Sequence, residues 1–432
     1  MKIVIAGSDQ NALVCALDLR KSGHEVEVLE GDRPLGIASV LPSCPLAPEV
    51  ASAHDLGVSL EIVGRRGVSS GGATVSLSLR ELAGDVSERD KARWRDFVRV
   101  LNNASELWRG LFQEAGGADV VSRWREFGHR QSMEVLRLPC QGLSELLDDW
   151  FESELLKATL GVAALRGSRQ GPFAPGSAFL LLQRWARGEV FGRAKTDGMI
   201  LKTLAEAAGV VFRQDQAHSY ALSVGKVHSV KTRSGEEIQA DLFISSEDPI
   251  CLFKERIGQG KVDPDLLAVA QSWDCRSTTV VAKLAPVQSW DGAMVSFADD
   301  LRSLERAYDP TKYGGFSEEP FAELDSRTGW LYLQHLNGEG AREKVEAFCQ
   351  KHDLGEVERV YTPDQLEQTF SASGGHLFGG EKSLWQSFGL RESLRNPFSN
   401  LYLCGASTGP GDYSGVSGLM CSRMVGSLST VS

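Results

Sequence analysis

The hydrophobic pattern of the first thirty residues predicts a strand, a helix and a second strand. Lys2 to Ala6 is a short β-branched run suited to a buried parallel strand. Apolar residues recur at helical spacing from Leu13 to Leu17, and Gly23 stands where a C-terminal helix cap is expected. His24 to Glu30 alternates charged and apolar residues, as a second strand would.

The spacing of this βαβ unit is that of a dinucleotide site, but its turn departs from the usual glycine pattern. The three glycine positions hold Gly7, Asp9 and Ala12. Asp9 sets a negative side chain where a diphosphate would meet backbone N–H groups. Glu30 ends the second strand, where a carboxylate can accept hydrogen bonds from a ribose. The pattern leaves two readings open, a nucleotide site or an α/β domain in which Asp9 merely caps the helix.

Further along the chain, helical and strand patterns alternate. The residues predict amphipathic helices over Ser87–Ala115, Gly142–Leu165 and Leu201–Ala208, with Ser144 and Ser153 as N-caps in the second of these ranges. They predict strands over Val210–Phe212, Tyr220–Val230 and Asp241–Ser246 that complete the first sheet, and a second sheet within Gln271–Leu336. The chain closes with a predicted strand Asn400–Gly405 and a predicted helix Val416–Leu428. The closing strand, Gly-rich turn and helix form a second place where a helix N-terminus could face a cofactor.

Size and charge narrow the class of protein. A chain of 432 residues is expected to form two domains, and 42% hydrophobic with 24% charged residues is typical of a soluble globular protein. The net charge of −11 argues against broad attraction to nucleic acid or anionic lipid. No apolar run reaches the length of a membrane span, and the N-terminus lacks a signal-peptide pattern, so we expect a cytoplasmic protein.

The cysteines and histidines indicate no metal site. The eight cysteines are scattered without a Cys-x-x-Cys pair, which in a chain of this size predicts buried thiols and no disulfide framework. The eight histidines show no ligand spacing with them. We therefore predict no bound metal.

Several separate segments, in order, resemble one family. They are NALVCALDLRKSGHEVEVLE, DDWFESELLKATL, GPFAPGSAFLLL, DLFISSEDP, LRSLERAYDPTKYGGFSEEPFAE, TPDQLEQTFSASGGHLFGGEKSL and NLYLCGASTGPG. They are similar to phytoene-dehydrogenase-like FAD-dependent oxidoreductases, in particular to the pyridine nucleotide-disulphide oxidoreductase domain-containing branch. The resemblance implies an α/β protein in which a Rossmann-like FAD-binding domain (residues 1–75, 190–255 and 370–432) carries an inserted α+β substrate domain (residues 76–189 and 256–369).

The resemblance also implies which residues hold FAD. These are Gly7, Ser8, Ala12, Glu30, Leu35 and Gly36 near the N-terminus, and Gly405, Ala406, Gly411 and Val416 near the flavin. Where the family usually has further glycines, this chain has Asp9, Ile37 and Asp197. Where the family usually has a histidine, this chain has Gly409 before the C-terminal proline and Gly379 after the GG-x-x-F run.

Three functional hypotheses follow. The first is an FAD-dependent oxidoreductase, dehydrogenase-like or desaturase-like, that moves a hydride to or from an apolar C–C or C–N unit. The second is a non-catalytic homologue with weakened or lost FAD binding that acts as a binding or partner subunit. The third, an enzyme using NAD(P) in the same turn, is disfavoured by the C-terminal GASTGPG segment. His376 and Tyr413 are candidate catalytic residues; contact with a protein partner or a membrane surface stays open.

Overall fold

The computed structural model describes residues 1–31, 35–41, 46–56, 60–113, 133, 135–194, 199–223, 225–285, 290–387, 391, 394, 397–409 and 411–429. The strands are β1 Lys2–Ala6, β2 Glu25–Leu29, β3 Leu60–Ile62, β4 Arg65–Val68, β5 Thr74–Leu77, β6 Leu82–Gly84, β7 Gly192–Ala194, β8 Val211–Arg213, β9 Ala217–Ser223, β10 Lys226–Thr232, β11 Glu237–Gln239, β12 Leu242–Ser245, β13 Thr279–Leu284, β14 Met294–Phe297, β15 Ala322–Asp325, β16 Trp330–Gln334, β17 Val357–Tyr361 and β18 Leu401–Leu403. The α-helices are α1 Gln10–Lys21, α2 Pro48–Ala53, α3 Glu88–Gln113, α4 Leu143–Trp150, α5 Glu154–Leu165, α6 Ala178–Ala186, α7 Met199–Ala207, α8 Pro264–Ser272, α9 Leu301–Tyr308, α10 Ala341–Lys351, α11 Pro363–Phe370 and α12 Val416–Ser429, with a π-helix over Cys251–Gly258.

A five-stranded parallel sheet lies at the centre of the first domain. Its strand order is β18-β12-β1-β2-β8, so the N-terminal strand pairs with β2 on one side and β12 on the other. Alternate residues of β1 point to opposite faces: Ile3 and Ile5 pack under α1, and Val4 and Ala6 pack on the opposite side. Both faces are covered, as a parallel sheet requires, and the predicted Rossmann-like α/β fold is confirmed.

The strands between β8 and β12 in the chain lie outside this five-stranded sheet. β9, β10 and β11 form a separate three-stranded antiparallel sheet, which packs with the π-helix on the face that carries Val4 and Ala6. The prediction that these strands complete the first sheet was therefore wrong for β9 and β10. Their polar and apolar residues alternate because only one side of the small sheet is buried, whereas all four residues of β12 are buried.

An eight-stranded sheet forms the second layer, in the order β17-β13-β16-β15-β14-β4-β5-β6. The predicted second sheet supplies β13 to β16, but strands from both ends of the chain extend it. Residues 65–68, which the predicted boundary at residue 75 assigns to the first domain, pair within this sheet with β14 and with residues 74–77, which straddle that boundary. Position in the chain therefore does not separate the two sheets cleanly, and the domain boundaries stay predictions.

The helical block packs beside this sheet around Trp94, Phe97 and Phe151. The residues predicted as one helical stretch form two helices, α4 and α5, because the Asp90 carboxylate accepts the backbone N–H groups of Glu152 (2.9 Å) and Ser153 (2.8 Å) between them. Ser153 stands at the N-cap of α5 without a side-chain capping bond, whereas the predicted cap Ser144 lies inside α4. The break is therefore held by a tertiary contact to α3.

A buried ion network joins the helical layer to the eight-stranded sheet. Glu323 on β15 pairs with Arg65 on β4 and with Arg166 after α5, and all three side chains are at most 4% exposed. Glu189 continues the network through Arg184 of α6 at 2.5 Å. Burial alone would raise the pKa of Glu323, but the two arginines hold it below its usual value. The carboxylate is therefore fixed in its charged form.

Two findings bear on the expected environment of the chain. Within the described residues, no helix is long and apolar enough to cross a bilayer. The described cysteines are free thiols, buried except for Cys140, which is exposed at the end of a 3₁₀ turn. The prediction of buried thiols is thus wrong at Cys140, while Cys44 lies outside the described residues.

We predict that Glu323→Gln lowers the free energy of unfolding by about 3–5 kcal/mol, because it leaves Arg65 and Arg166 buried beside a neutral amide. Urea denaturation of the purified variant measures the change. Glu152→Gln, which breaks the exposed pair with Arg89, is the matched control and should change stability little. Equal effects of the two substitutions would contradict the assigned role of the network.

Candidate functional site

A crevice opens at the carboxyl ends of β1, β2 and β12, where ligands bind in open parallel sheets. Its sheet side comprises Ala6, Gly7, Ser8, Asp9, Leu29, Glu30, Ser246, Glu247 and Asp248; its other sides comprise Gly36, Ile37, Gln216, Ala217, residues 369–372, His376, Gly379, Ala406, Ser407 and Tyr413. The crevice has a free volume of about 100 Å³. Five of the ten residues predicted to hold FAD line this crevice.

Asp9 occupies the N-terminus of α1. Its carboxylate accepts the backbone N–H of Ala12 at 3.0 Å and a hydrogen bond from the Ser246 hydroxyl, so the predicted capping role is confirmed. The side chain is only 7% exposed. Burial raises the pKa of Asp9 to about 6, and the hydrogen bonds offset only part of that rise. The chain thus places its own titratable carboxyl at the anion-binding end of the helix.

Glu30 presents an unused acceptor to the crevice. Its Oε2 atom pairs with Lys202 of α7 at 2.6 Å, while its buried Oε1 atom has no hydrogen-bond partner among the described residues. Gln216, which lines another side of the same crevice, likewise has a buried Oε1 atom without such a partner. Buried acceptors without donors are costly, so this end of the crevice fits a ligand that carries hydroxyl or amine donors.

Two further carboxylates line the crevice where β12 ends. Glu247 pairs with Arg256 at 2.9 Å, and Asp248 accepts the backbone N–H and the hydroxyl of Ser373. Burial raises the pKa of both carboxyl groups. The sequence did signal them, since they directly follow the buried run DLFISS, and the carboxyl ends of parallel strands meet at one edge. They were not predicted as site residues.

The two candidate catalytic residues, His376 and Tyr413, both line the crevice. His376 Nδ1 accepts the backbone N–H groups of Phe378 (3.1 Å) and Gly380 (3.2 Å). The proton of the neutral ring must therefore be on Nε2, which lies 3.5 Å from Glu381 Oε1. His376 is thus oriented as part of the wall, and to accept a proton at Nδ1 it would have to give up both bonds.

The structure divides the residues that the resemblance assigned to FAD. Gly7, Ser8, Glu30, Gly36 and Ala406 line the crevice. The others lie behind it: Ala12 in the first turn of α1, Leu35 in an apolar cluster with Leu13 and Leu419, Gly405 against the backbone of Ser246, Gly411 against the Arg391 guanidinium, and Val416 at the start of α12. Their roles stay predictions.

Buried polar side chains hold the C-terminal turn against the crevice. Asn11 of α1 donates to the carbonyl of Asp412 at 2.7 Å and accepts the N–H of Gly415 at 2.9 Å. Arg391 donates to the carbonyls of Ala406 and Gly380, which joins the turn to the opposite wall. These bonds fix the position of the turn before α12.

Departures from the family pattern have distinct places in the structure. Ile37 lines the crevice and packs in a cluster with Tyr413, so its side chain fills space that a glycine would leave open. Gly409 lies behind the crevice, where its carbonyl accepts the Ser417 hydroxyl. Asp197 lies outside the described residues. Gly379 lines the crevice at a φ of +62°, and a Cβ there would lie 3.2 Å from the Ser407 nitrogen, so a larger residue would be strained.

Lys382 is a buried cation behind the crevice. It is 4% exposed, and its Nζ atom has no hydrogen-bond partner among the described residues and lies 4.2 Å from the centroid of the Phe378 ring. Burial lowers its pKa well below the usual value, although Glu189 favours the charged form. Within the described chain, no group of three or more His, Cys, Asp or Glu side chains is arranged to hold a metal ion.

The chain is similar to curated sequences from mammals. The chain is 27% identical over 345 residues to the rat pyridine nucleotide-disulfide oxidoreductase domain-containing protein 2, which confirms the resemblance predicted from the sequence. The match covers 65% of this chain, which spans 59% of the length of that relative. No family model matches the chain.

Solved structures share the fold at low identity. A putrescine oxidase with putrescine bound superposes with a TM-score of 0.59 at 12% identity, covering 100% of this chain and 99% of that one. An oxidoreductase from Methanosarcina mazei gives a TM-score of 0.56 at 14% identity, covering 99% and 100%. At these identities the likeness shows the fold alone, which agrees with the predicted Rossmann-like α/β fold.

We predict that Lys382→Met raises the free energy of unfolding at pH 7 by about 1–3 kcal/mol, because it removes a buried donor without a hydrogen bond. The lowered pKa means that the unfolded state binds more protons, so wild-type stability rises with pH toward about 10.4, the ordinary lysine pKa. The variant should lack that rise. Urea denaturation of wild type and Lys382→Met at pH 7 and pH 9 tests this prediction, with Lys351→Met, at an exposed lysine, as the control. A Lys382→Met variant that is less stable than wild type would show that the attraction of Lys382 to Glu189 outweighs the cost of burying the lysine.

Proposed function

We propose that this protein is an FAD-dependent oxidoreductase that takes a hydride from, or returns one to, an apolar small molecule. The observation that carries the proposal is Glu30 Oε1, a buried carboxylate oxygen at the end of β2 that has no donor among the residues the structure describes. In Rossmann-like domains a carboxylate at this point accepts the hydroxyl groups of a ribose. The resemblance and the shared fold both support FAD as the source of that ribose.

The crevice contains groups that could bind the ribose and the diphosphate of FAD. Glu30 and Gln216 would accept ribose hydroxyl hydrogens, and the N-terminus of α1 would face the diphosphate. Bound FAD would supply the hydride-accepting centre. The chain's own contribution would be position and exclusion of water, with Ile37, Phe370 and Tyr413 supplying apolar and aromatic lining.

The substrate class is the finer part of the proposal. One structural neighbour is an oxidase of putrescine, an amine with C–N bonds. The side chains of Ile37, Phe370, Ala372 and Ala406 favour an apolar unit at the inner part of the crevice. His376 would act there as a positioning residue, since its Nδ1 atom already accepts two backbone hydrogen bonds from its own loop.

The buried free thiols support a reducing location such as the cytoplasm.

Two observations favour a second candidate, a non-catalytic homologue that binds FAD weakly or has lost it. The free volume of about 100 Å³ is below the range of about 300–1,000 Å³ typical of small-molecule sites. Asp9 also sets a carboxyl where a diphosphate would lie. For a dinucleotide to enter, the loop that carries Gly36 and Ile37 would have to move outward. In this reading the protein would serve as a binding or partner subunit.

The decisive experiment is FAD binding by the purified chain, followed by the visible flavin spectrum and by thermal shift. A flavoprotein is stabilised by added FAD, because a ligand that binds only the folded state raises apparent stability. Added NAD should not reproduce the effect. A colourless protein that takes up no FAD and is not stabilised by it under any condition tested would refute the proposal in favour of the second candidate.

We predict that Glu30→Gln weakens FAD binding about 10–100-fold, because a hydrogen bond to a charged group contributes about 1.5–3 kcal/mol. Isothermal titration with FAD measures the loss. Glu25→Gln is the matched control, since Glu25 begins the same strand and is exposed. Equal affinity of both variants and wild type would show that Glu30 does not contact the cofactor.

A substrate screen then separates the enzyme from a flavin-binding subunit. Anaerobic mixing with a panel of apolar amines and unsaturated hydrocarbons should bleach the flavin spectrum for at least one member. FAD-loaded protein that no member of either class reduces would contradict the proposed substrate class.

A further inference from the structure

The described carboxylates that line the crevice are Asp9, Glu30, Glu247 and Asp248, and its described lining contains no lysine or arginine. Lys202 and Arg256 each pair with one of these carboxylates, Glu30 and Glu247, and neither is part of the lining. A crevice of this charge repels an anionic ligand, and a diphosphate is such a ligand. FAD can therefore bind only if this repulsion between the carboxylates and the diphosphate is reduced.

Asp9 is the carboxyl closest to the helix end where the diphosphate is expected. Groups from several elements face it: the Ser246 hydroxyl and Glu247 beyond β12, Glu30 at the end of β2, Cys404 beyond β18, and Asn11 on its own helix. His376 and Tyr413 lie across the crevice. Burial disfavours a charged Asp9, while the Ser246 hydroxyl and the backbone N–H groups of Ala12 and Asn11 favour it.

Resting on the proposed function, we propose that FAD binding takes up one proton at the Asp9 carboxyl. One carboxyl oxygen, Oδ1, keeps the bond from the Ala12 N–H, and the other, once protonated, donates a hydrogen bond to a diphosphate oxygen. The proton comes from solvent. Asp9 would thereby replace the missing glycine of the turn as a hydrogen-bond donor, and the like charges would no longer face each other.

One observation that does not depend on the helix end supports a ligand here. Glu30 Oε1, buried without a partner among the described residues, marks the ribose position beside it. The raised pKa of Asp9, about 6, makes its protonation inexpensive near neutral pH. At pH 7.5, about 1.5 units above that value, most Asp9 carboxyl groups are charged in the free protein, and the cost of protonating them weakens the apparent affinity for FAD by roughly 30-fold, since each pH unit is a factor of ten.

The test is isothermal titration of the full-length protein with FAD between pH 5.5 and 8, and at pH 7.5 in buffers of different ionisation enthalpy. Wild type should take up about one proton per FAD at pH 7.5, and its Kd should rise about tenfold per pH unit above 6.5. Asp9→Asn, which keeps the cap and adds a donor, should bind about 30-fold more tightly at pH 7.5 with no proton uptake. Asp9→Gly should also take up no proton.

Control variants separate Asp9 from its acidic neighbours. Glu247→Gln and Asp248→Asn should retain the proton uptake, and its loss in either would assign the proton elsewhere. FAD binding that is independent of pH in wild type would overturn this inference while leaving the proposed function in place. No FAD binding by wild type or by either Asp9 variant at any pH would instead overturn the proposed function.

Discussion

The structure depends on a set of buried arginines that only glutamates can neutralise. Arg65 and Arg166 share Glu323, and Arg184 pairs with Glu189. These contacts connect the eight-stranded sheet to the helical layer behind the crevice. Buried charges are tolerated only when they are paired in good geometry, so each element is held in the one arrangement that pairs them.

The crevice itself has the opposite electrostatic character. Parallel strands bring their carboxyl ends to one edge, and here three of those ends deliver acidic residues, Asp9 just beyond β1, Glu30 at β2 and Glu247 at β12. The usual Rossmann site is neutral at the diphosphate. This chain has the helix N-terminus and a carboxylate at the end of β2, and Asp9 adds a further carboxyl group at the helix end.

Much of the fold was readable from local patterns. The N-terminal βαβ unit and the closing strand and helix appear close to their predicted bounds, because their apolar spacing is strong and the parallel sheet buries both faces. Asp9 was readable as a cap for the same local reason. Ser153 was readable as the N-cap residue of α5, but the bonds that hold the break before it were not, because they come from Asp90, more than sixty positions away.

The sequence by itself determined the Rossmann-like fold, the carboxylate at the end of β2 and the absence of the second turn glycine, since each rests on neighbouring residues. Only the tertiary structure decided which distant residues meet: Gln216, Glu247 and Asp248 join Glu30 in the crevice, and Lys202 reaches one of its oxygens while the other stays without a donor. It also decided that His376 gives its Nδ1 to its own loop. Burial and hydrogen-bond partners are set by contacts between segments, which spacing along the chain does not encode.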